Sequence, residues 1–138
     1  MRNLSYFFFY TYVGLVVLAG FRGAFIYPSW DFSFLFSMDV NQLNDFKRIN
    51  LLSQYRFLRA LELGFGLFSL YFLKDIFQYK IFNTLFLLIM GMGIMARVFS
   101  WLFDGTHGLL TKFFLIYEAI GWRLIYKYTK PKLISHVY

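Results

Sequence analysis

Long apolar runs alternate with short polar segments along most of the chain. Four runs approach the roughly 20 residues that a helix needs to cross the hydrocarbon core of a bilayer. They lie at about residues 5–26, 51–73, 81–103 and 109–126. Residues 74–80 and 104–108 are short connectors, which join antiparallel neighbours. The pattern predicts an all-α, integral membrane protein: one transmembrane domain over residues 1–138, a four-helix up-down-up-down bundle.

Basic residues near the ends of the runs predict the orientation, because Lys and Arg are enriched in cytoplasmic loops. One side collects Arg2, Lys74, Lys80, Arg123, Lys127, Lys130 and Lys132. The other side holds Lys47 and Arg48, with Lys112 just past a turn. We therefore expect both termini to be cytoplasmic. A signal peptide is the alternative for the first run, but the run is long and no A-x-A cleavage site follows it.

The connection between the first two runs, about residues 27–50, is long and aromatic. Its first part, "YPSWDFSFLF", is expected to lie in the membrane interface or to fold over the mouth of the bundle. An ordinary connecting loop is the alternative. The second part, "SMDVNQLNDFKRIN", predicts a short helix capped by Ser37 or Asp39.

Ionisable residues occur inside the runs at helical spacing. Arg56, Arg59 and Glu62 recur every three residues, so they share one face of the second helix. At about 1.5 Å per residue, these and similar groups in the other runs fall in the outer half of the bundle. The expected polar cluster comprises Arg22, Arg56, Arg59, Glu62, Arg97, Ser100, Asp104 and Glu118.

Charges on a helix in lipid are costly, at least ~2.5–3.5 kcal/mol each at the helix centre, so these groups should face inward and pair. We expect Arg59 to pair with Glu62 or Glu118, and Arg97 with Asp104 or Glu118. One interpretation is a structural ion-pair network that fixes helix register. The other is a net positive site for an anionic or polar-headed ligand, because guanidinium groups suit phosphate and carboxylate. The arginines nominated for that site are Arg22, Arg56 and Arg97.

Composition narrows the classes of protein. Of 138 residues 59% are hydrophobic and 15% charged, whereas a soluble domain is about a quarter charged. The chain has no cysteine and two histidines, so we expect no metal site and no cofactor. The net charge of +7 is dispersed between apolar runs, which argues against a nucleic-acid partner. The glycine pairs in "GFG" and "GMG" are expected to be helix-packing points rather than phosphate loops.

Three stretches, "NLLSQYRFLRALELGFGLF", "MARVFSWLFDGTHG" and "YEAIGWRL", resemble the DUF4345 family of small bacterial four-helix membrane proteins. The resemblance covers about residues 50–126. The family features correspond here to Asn50, Arg56, Arg97, Ser100, Asp104, Gly105 and Glu118. Gln54 departs from the pattern, which has an acidic residue there. The resemblance implies a bacterial inner-membrane location and a distant likeness to DoxX-like proteins, some of which are linked to quinone or redox partners.

Binding rather than catalysis is the predicted function. We expect a lipid, quinone or other amphiphile with an anionic or polar head to bind at the polar cluster, with membrane lipid as the partner. The alternative is an accessory subunit of a larger membrane complex with a purely structural ion-pair network. Other membrane-protein subunits, or further copies of this chain, are the partners considered beside lipid. A transporter is a further alternative. An enzyme with Glu62 or Glu118 as general base ranks last, because no nucleophile is evident.

Overall fold

The computed structural model describes residues 1–106 and 108–135, and most of these residues are helical. The α-helices there are α1 (Arg2–Phe21), α2 (Pro28–Phe36), α3 (Asp45–Tyr71), α4 (Leu73–Gln78), α5 (Lys80–Phe103) and α6 (Leu109–Thr129). A π-helix, Arg22–Ile26, continues α1, and a 3-10 turn, Val40–Gln42, lies between α2 and α3. The predicted all-α class is therefore confirmed for the described residues.

Two compact units make up the chain. The first contains residues 1–12 and 71–138, and the second contains residues 13–70. The first unit thus holds the start of α1 together with α4, α5 and α6. The second holds the rest of α1, the π-helix, α2 and nearly all of α3.

Aromatic side chains form the core of the first unit. Phe9 and Phe86 are fully buried, and their ring centroids are 5.1 Å apart. Phe77 stacks on Tyr6 with 4.2 Å between ring centroids. Helices α5 and α6 are joined by a hydrogen bond of 2.8 Å from the Trp122 indole to the Leu87 carbonyl. Such large rings bury much apolar area while leaving polar tips such as the indole N–H to bond across the helices.

The second unit depends on glycines where α1 approaches α3. A Cβ at Gly20 would lie 2.8 Å from the Leu63 amide nitrogen and 2.9 Å from the Arg59 carbonyl oxygen. A Cβ at Gly66 would lie 2.5 Å from a methyl carbon of Val17. Small residues permit such close helix approach. The packing role predicted for "GFG" therefore applies to Gly66, whereas a Cβ at Gly64 would meet nothing within 4 Å.

Helix α3 begins before the apolar run that predicted it. The run starts near residue 51, but the helix starts at Asp45. The Asn44 side chain accepts a hydrogen bond of 3.0 Å from the Lys47 amide, and Asp45 forms an ion pair with Arg48 across one turn. These are the interactions of a capped helix start. The short helix predicted within residues 37–50 is therefore not a separate element: its last residues are the first turns of α3, and Ser37 ends α2. Hydrophobicity marks only the apolar part of a helix, so these polar turns were not assigned to α3.

The segment expected to be a short polar connector contains helix α4. Its residues Ile76 and Phe77 are buried in the first unit. The backbone beyond α4 pairs with the chain's later residues, because the Lys80 amide donates to the Ile134 carbonyl at 3.0 Å and the Ile134 amide donates to the Gln78 carbonyl at 2.8 Å. This connection is therefore part of the core and not a solvated loop.

The aromatic part of the long connection is also a helix, α2, and Pro28 occupies its first turn. Asp39, one of the two expected caps, accepts a hydrogen bond of 3.0 Å from the Asn41 amide. The element that it caps is the short 3-10 turn. A proline at the first helical position is favourable because its missing N–H would be unpaired there in any case.

Two of the described helices have the length and the apolar composition of membrane spans. Within the described residues, two helices are long and apolar enough to cross a membrane, Arg2–Ile26 and Lys80–Phe103. These coincide with the first and third predicted spans. Helices α3 and α6 carry several charges along their length, which lowers their mean hydropathy.

Candidate functional site

The buried carboxylate of Asp31 is the centre of a polar network in the second unit. Asp31 lies in the first turn of α2 and is 1% exposed. Its Oδ1 pairs with the Arg22 guanidinium, and its Oδ2 accepts a hydrogen bond of 2.9 Å from the Tyr55 hydroxyl. The Arg59 Nε lies 3.8 Å from the same Oδ2. A buried carboxylate with two guanidinium partners and a hydroxyl donor has its charge compensated.

The network continues along one face of α3. Arg59 donates from Nε and Nη2 to the Tyr55 hydroxyl oxygen, at 2.8 and 2.6 Å. Its Nη1 donates to Glu62 Oε2 at 2.6 Å. The chain of contacts therefore runs from Glu62 through Arg59 and Tyr55 to Asp31 and Arg22. We call these five residues the Asp31 network.

A glycine makes room for the network. A Cβ at Gly23 would lie 2.7 Å from Arg59 Cγ and 2.9 Å from Asp31 Oδ2. Gly23 is in the π-helix and is buried. A side chain at this position would push Arg59 and Asp31 apart, so the π-helix can lie against the network only because residue 23 has no side chain.

Two guanidinium groups at the π-helix keep unused donors. Arg22 stacks over the Trp30 ring at 4.0 Å from its centroid, and its buried Nε has no hydrogen-bond partner in the part of the chain that the structure describes. Arg56 donates from Nη1 to the Ala24 carbonyl at 2.5 Å. Among the described residues, no carboxylate forms an ion pair with Arg56. Arg22, Arg56 and Arg59 face two carboxylates in this unit, so the group carries an excess positive charge.

The first unit contains a separate ion pair between α5 and α6. Arg97 Nε lies 3.2 Å from Glu118 Oε2, and Arg97 Nη2 donates to Oε1 at 3.3 Å. Two parallel bonds of this kind form the fork geometry that favours Arg over Lys. The Glu118 side chain is only 13% exposed, so the pair is an interhelical link and not a surface contact.

Both predicted ion pairs are present, and in each the arginine contacts one of the two carboxylates considered for it. Arg59 pairs with Glu62, and Arg97 pairs with Glu118. Asp104 is exposed and ends α5, with its amide donating to the Ser100 carbonyl at 2.8 Å. Among the predicted site residues, Arg22, Arg56, Arg59 and Glu62 belong to the second unit. Those in the first unit are Arg97, Ser100, Asp104 and Glu118.

Sequence reasoning missed Asp31 and Tyr55, the two residues that join the others. Asp31 is the first acidic residue of the chain and follows a long stretch with Arg2 and Arg22 as its only charged side chains. This acidic residue in an apolar stretch could have indicated a pair with Arg22, because no other acidic residue is as close to Arg22 in the sequence. Tyr55 gave no comparable signal, since tyrosines are frequent throughout this sequence.

The fold and the network define a small helical protein with apolar, span-length helices and ion pairs between its helices. A family model described as "Domain of unknown function (DUF4345)" matches residues 4–128. The chain belongs to this family, as its motifs suggested. A search of curated proteins and a search of solved structures each found no match.

Proposed function

We propose that this protein spans the membrane with four helices and binds the anionic head of an amphiphile beside Arg22 and Arg56. The observation that carries the proposal is the excess of guanidinium groups at the π-helix, where Arg56 has no acidic partner among the described residues.

Membrane embedding is supported by how little of the apolar surface is covered. Only 22% of the most apolar stretch in Arg2–Ile26 is buried within the protein, and 17% of that in Lys80–Phe103. The core helix of a soluble protein would be mostly buried. Large side chains such as Leu88, Phe99 and Leu102 are exposed along α5. Contiguous apolar surface of this extent needs a covering, and acyl chains provide one.

Helices α3 and α6 complete the proposed four spans. Each is long enough to cross, with 27 residues in α3 and 21 in α6. Many of their charges are paired, as Arg59 is with Glu62 and Glu118 is with Arg97. Pairing reduces the cost that would otherwise oppose insertion. With the larger set of Lys and Arg facing the cytoplasm, both termini are cytoplasmic and the spans alternate in direction.

Single cysteines test this topology, because the natural chain has none. We expect Asn41→Cys and Thr106→Cys to react with a membrane-impermeant maleimide in intact spheroplasts of an expression host. Lys74→Cys and Lys132→Cys should react only after permeabilisation. Equal labelling of Asn41→Cys and Lys74→Cys from outside would refute α3 as a span. The same result for Thr106→Cys and Lys132→Cys would refute α6.

Head-group binding is supported by the geometry of the two arginines. A guanidinium has five N–H donors and no acceptor. Within residues 1–106 and 108–135, Arg56 donates one side-chain hydrogen bond, to the Ala24 carbonyl, and the Arg22 side chain bonds to Asp31 alone. Phosphate oxygens accept such donors in bidentate fashion. The Trp30 ring stacks on the Arg22 guanidinium and restricts its motion. The side chain of Arg22 therefore loses less conformational entropy when a ligand binds.

The expected result for Arg56→Gln is a roughly tenfold weaker binding of phosphatidic acid, which corresponds to the loss of one charge-assisted hydrogen bond of about 1.5 kcal/mol. Native mass spectrometry of protein with phosphatidic acid and phosphatidylcholine measures the bound fractions. Glutamine can still donate to the Ala24 carbonyl, so the local fold is retained. Arg48→Gln is the matched control, because Arg48 lies in the first turn of α3 and pairs with the exposed Asp45.

A structural role is the second candidate, and the saturation of Asp31 favours it. Its carboxylate already has Arg22, Arg59 and Tyr55 as partners. In that case the network holds α1, α2 and α3 together and the protein serves as a subunit of a larger membrane complex. Equal binding of phosphatidic acid by wild type, Arg56→Gln and Arg48→Gln would support this candidate and overturn head-group binding.

A further inference from the structure

A groove between α5 and α6 in the first unit belongs to neither ion-pair site. Its volume is about 700 Å³, and residues after α6 line one end. Lys80, Lys130 and Ser135 line that end, whereas Leu88, Met92 and Met95 line the rest. Both lysines line this end because the start of α5 lies beside the end of α6, as the hydrogen bond from the Thr129 hydroxyl to Asn83 Oδ1 indicates.

The groove has the length of one membrane leaflet. From Lys80 to Met95 the helix rises about 22 Å at ~1.5 Å per residue. A bilayer is roughly 40–45 Å thick with its head groups, so one leaflet measures about 20–22 Å. Polar residues occupy one end of this distance and apolar residues the other. A phospholipid molecule has the same length and the same order of polarity.

The polar end carries two lysines. Among the residues that the structure describes, no Asp or Glu lines the groove. Among the described residues, neither Lys80 nor Lys130 forms an ion pair. Lys130 lies over the Tyr126 ring, with its Nζ 5.3 Å from the centroid. Two lysines without acidic partners favour an anionic occupant over a zwitterionic one.

One wall of the groove is fixed before any ligand binds. Trp122 and Tyr126 stack with 5.4 Å between ring centroids and 11° between their planes. The Trp122 indole N–H is bonded to the Leu87 carbonyl at 2.8 Å. Gly91 allows the indole to lie close to α5, since a Cβ there would be 3.3 Å from the indole nitrogen. A rigid aromatic wall lowers the ordering cost of binding an acyl chain.

We propose that this groove is a binding site for an anionic phospholipid, with its phosphate at Lys80 and Lys130 and one acyl chain along Leu88, Met92 and Met95. The site is formed by residues of the first unit, whereas Arg22 and Arg56 belong to the second. It therefore stands on observations independent of the head-group site proposed above, and its variants differ from those used there.

The charge at the polar end is tested with a double variant, Lys80→Gln with Lys130→Gln. In bicelles containing phosphatidylglycerol and phosphatidylcholine, native mass spectrometry measures the preference of the protein for the anionic lipid. We expect the double variant to lose about tenfold or more of that preference. The control is Lys74→Gln with Lys127→Gln, which removes the same charge from exposed residues outside the groove and should change the preference less than twofold.

The apolar part is tested by filling it. Leu88→Trp places an indole in the groove, whereas Ile89→Trp places one on an exposed position that does not line it. We expect Leu88→Trp to reduce retention of phosphatidylglycerol at least fivefold and Ile89→Trp to leave it unchanged. Thermal unfolding of both variants in micelles identifies any loss that comes from misfolding alone.

A fluorescence measurement locates the chain without altering the groove. With Trp30→Phe and Trp101→Phe, Trp122 is the remaining tryptophan, and brominated acyl chains quench an indole that they touch. We expect brominated phosphatidylglycerol to quench Trp122 more than brominated phosphatidylcholine, and Lys80→Gln with Lys130→Gln to remove the difference.

Three outcomes would overturn the proposal. Equal quenching by the two lipids in the natural groove would mean that it does not select an anionic head. Retention that depends on Leu88 but not on the lysines would indicate a neutral amphiphile. A dimer that forms through this face and excludes lipid would indicate a second copy of the chain as the occupant. If Arg56→Gln has no effect while Lys80→Gln with Lys130→Gln does, the groove stands and the head-group site at Arg56 falls.

Discussion

Replacing Asp31 with asparagine is expected to lower the free energy of unfolding by about 3 kcal/mol, the largest effect that we predict for a single side chain. Breaking a buried ion pair costs roughly 3–5 kcal/mol, because the remaining charges stay buried without compensation. Here the low end applies, since the Arg22 side chain is 43% exposed and can be rehydrated. Arg59 is more enclosed, and it would keep only Glu62 as an acidic partner.

Titration with sodium dodecyl sulfate in mixed micelles measures this free energy. Asp45→Asn is the control, because its carboxylate is 83% exposed and pairs with Arg48 on the surface. Exposed pairs contribute roughly 0–1 kcal/mol, so the control should differ little from the natural protein. If Asp31→Asn were equally mild, the Asp31 network would not be holding α2 against its neighbours.

Substituting Gly20 with alanine is expected to lower the free energy of unfolding by about 2 kcal/mol. The added Cβ would lie 2.8 Å from the backbone nitrogen of Leu63 and 2.9 Å from the backbone oxygen of Arg59. Backbone atoms cannot turn aside as a flexible side chain can, so α1 and α3 must separate. Overpacking of this kind costs roughly 1–3 kcal/mol, and separation would also disturb the contacts that Arg59 makes.

The same substitution at Gly14, in the same helix, is expected to have no destabilising effect. A Cβ at Gly14 would meet nothing within 4 Å, and alanine favours a helix over glycine by roughly 0.5–1 kcal/mol. Gly14→Ala should therefore be neutral or stabilising in the same titration. Matching effects at the two glycines would show that helix propensity, and not the approach of α3, determines the response.

The helices could largely be predicted from the sequence, because each apolar run of span length became one. The ends of α5 agree closely with the third run, since apolar residues continue to both ends of that helix. Helix α4 could not be found in this way. A segment of six residues with two buried apolar side chains is too short to show the hydrophobic periodicity that distinguishes a helix from a connector.

The candidate site was predictable only where partners are close in sequence or carry opposite charge. Arg59 and Glu62 are one helical turn apart, so their contact follows from helix geometry. Arg97 and Glu118 were found because few carboxylates were available inside the runs. The contact between Asp31 and Tyr55 spans 24 residues and depends on the fold of α2 onto α3. No local pattern specifies such a contact.

The hydroxyl of Tyr55 fixes the donor-to-acceptor direction of the hydrogen bonds in the Asp31 network. Arg59 offers only N–H groups, and an ionised carboxylate offers only lone pairs. The phenolic proton must therefore point towards Asp31, while the oxygen receives both N–H groups of Arg59. The reversed arrangement does not exist for these partners. The hydrogen bonds of the Asp31 network therefore have one arrangement of protons. In this they differ from chains of hydroxyl groups, whose hydrogen bonds can all reverse and so relay a proton.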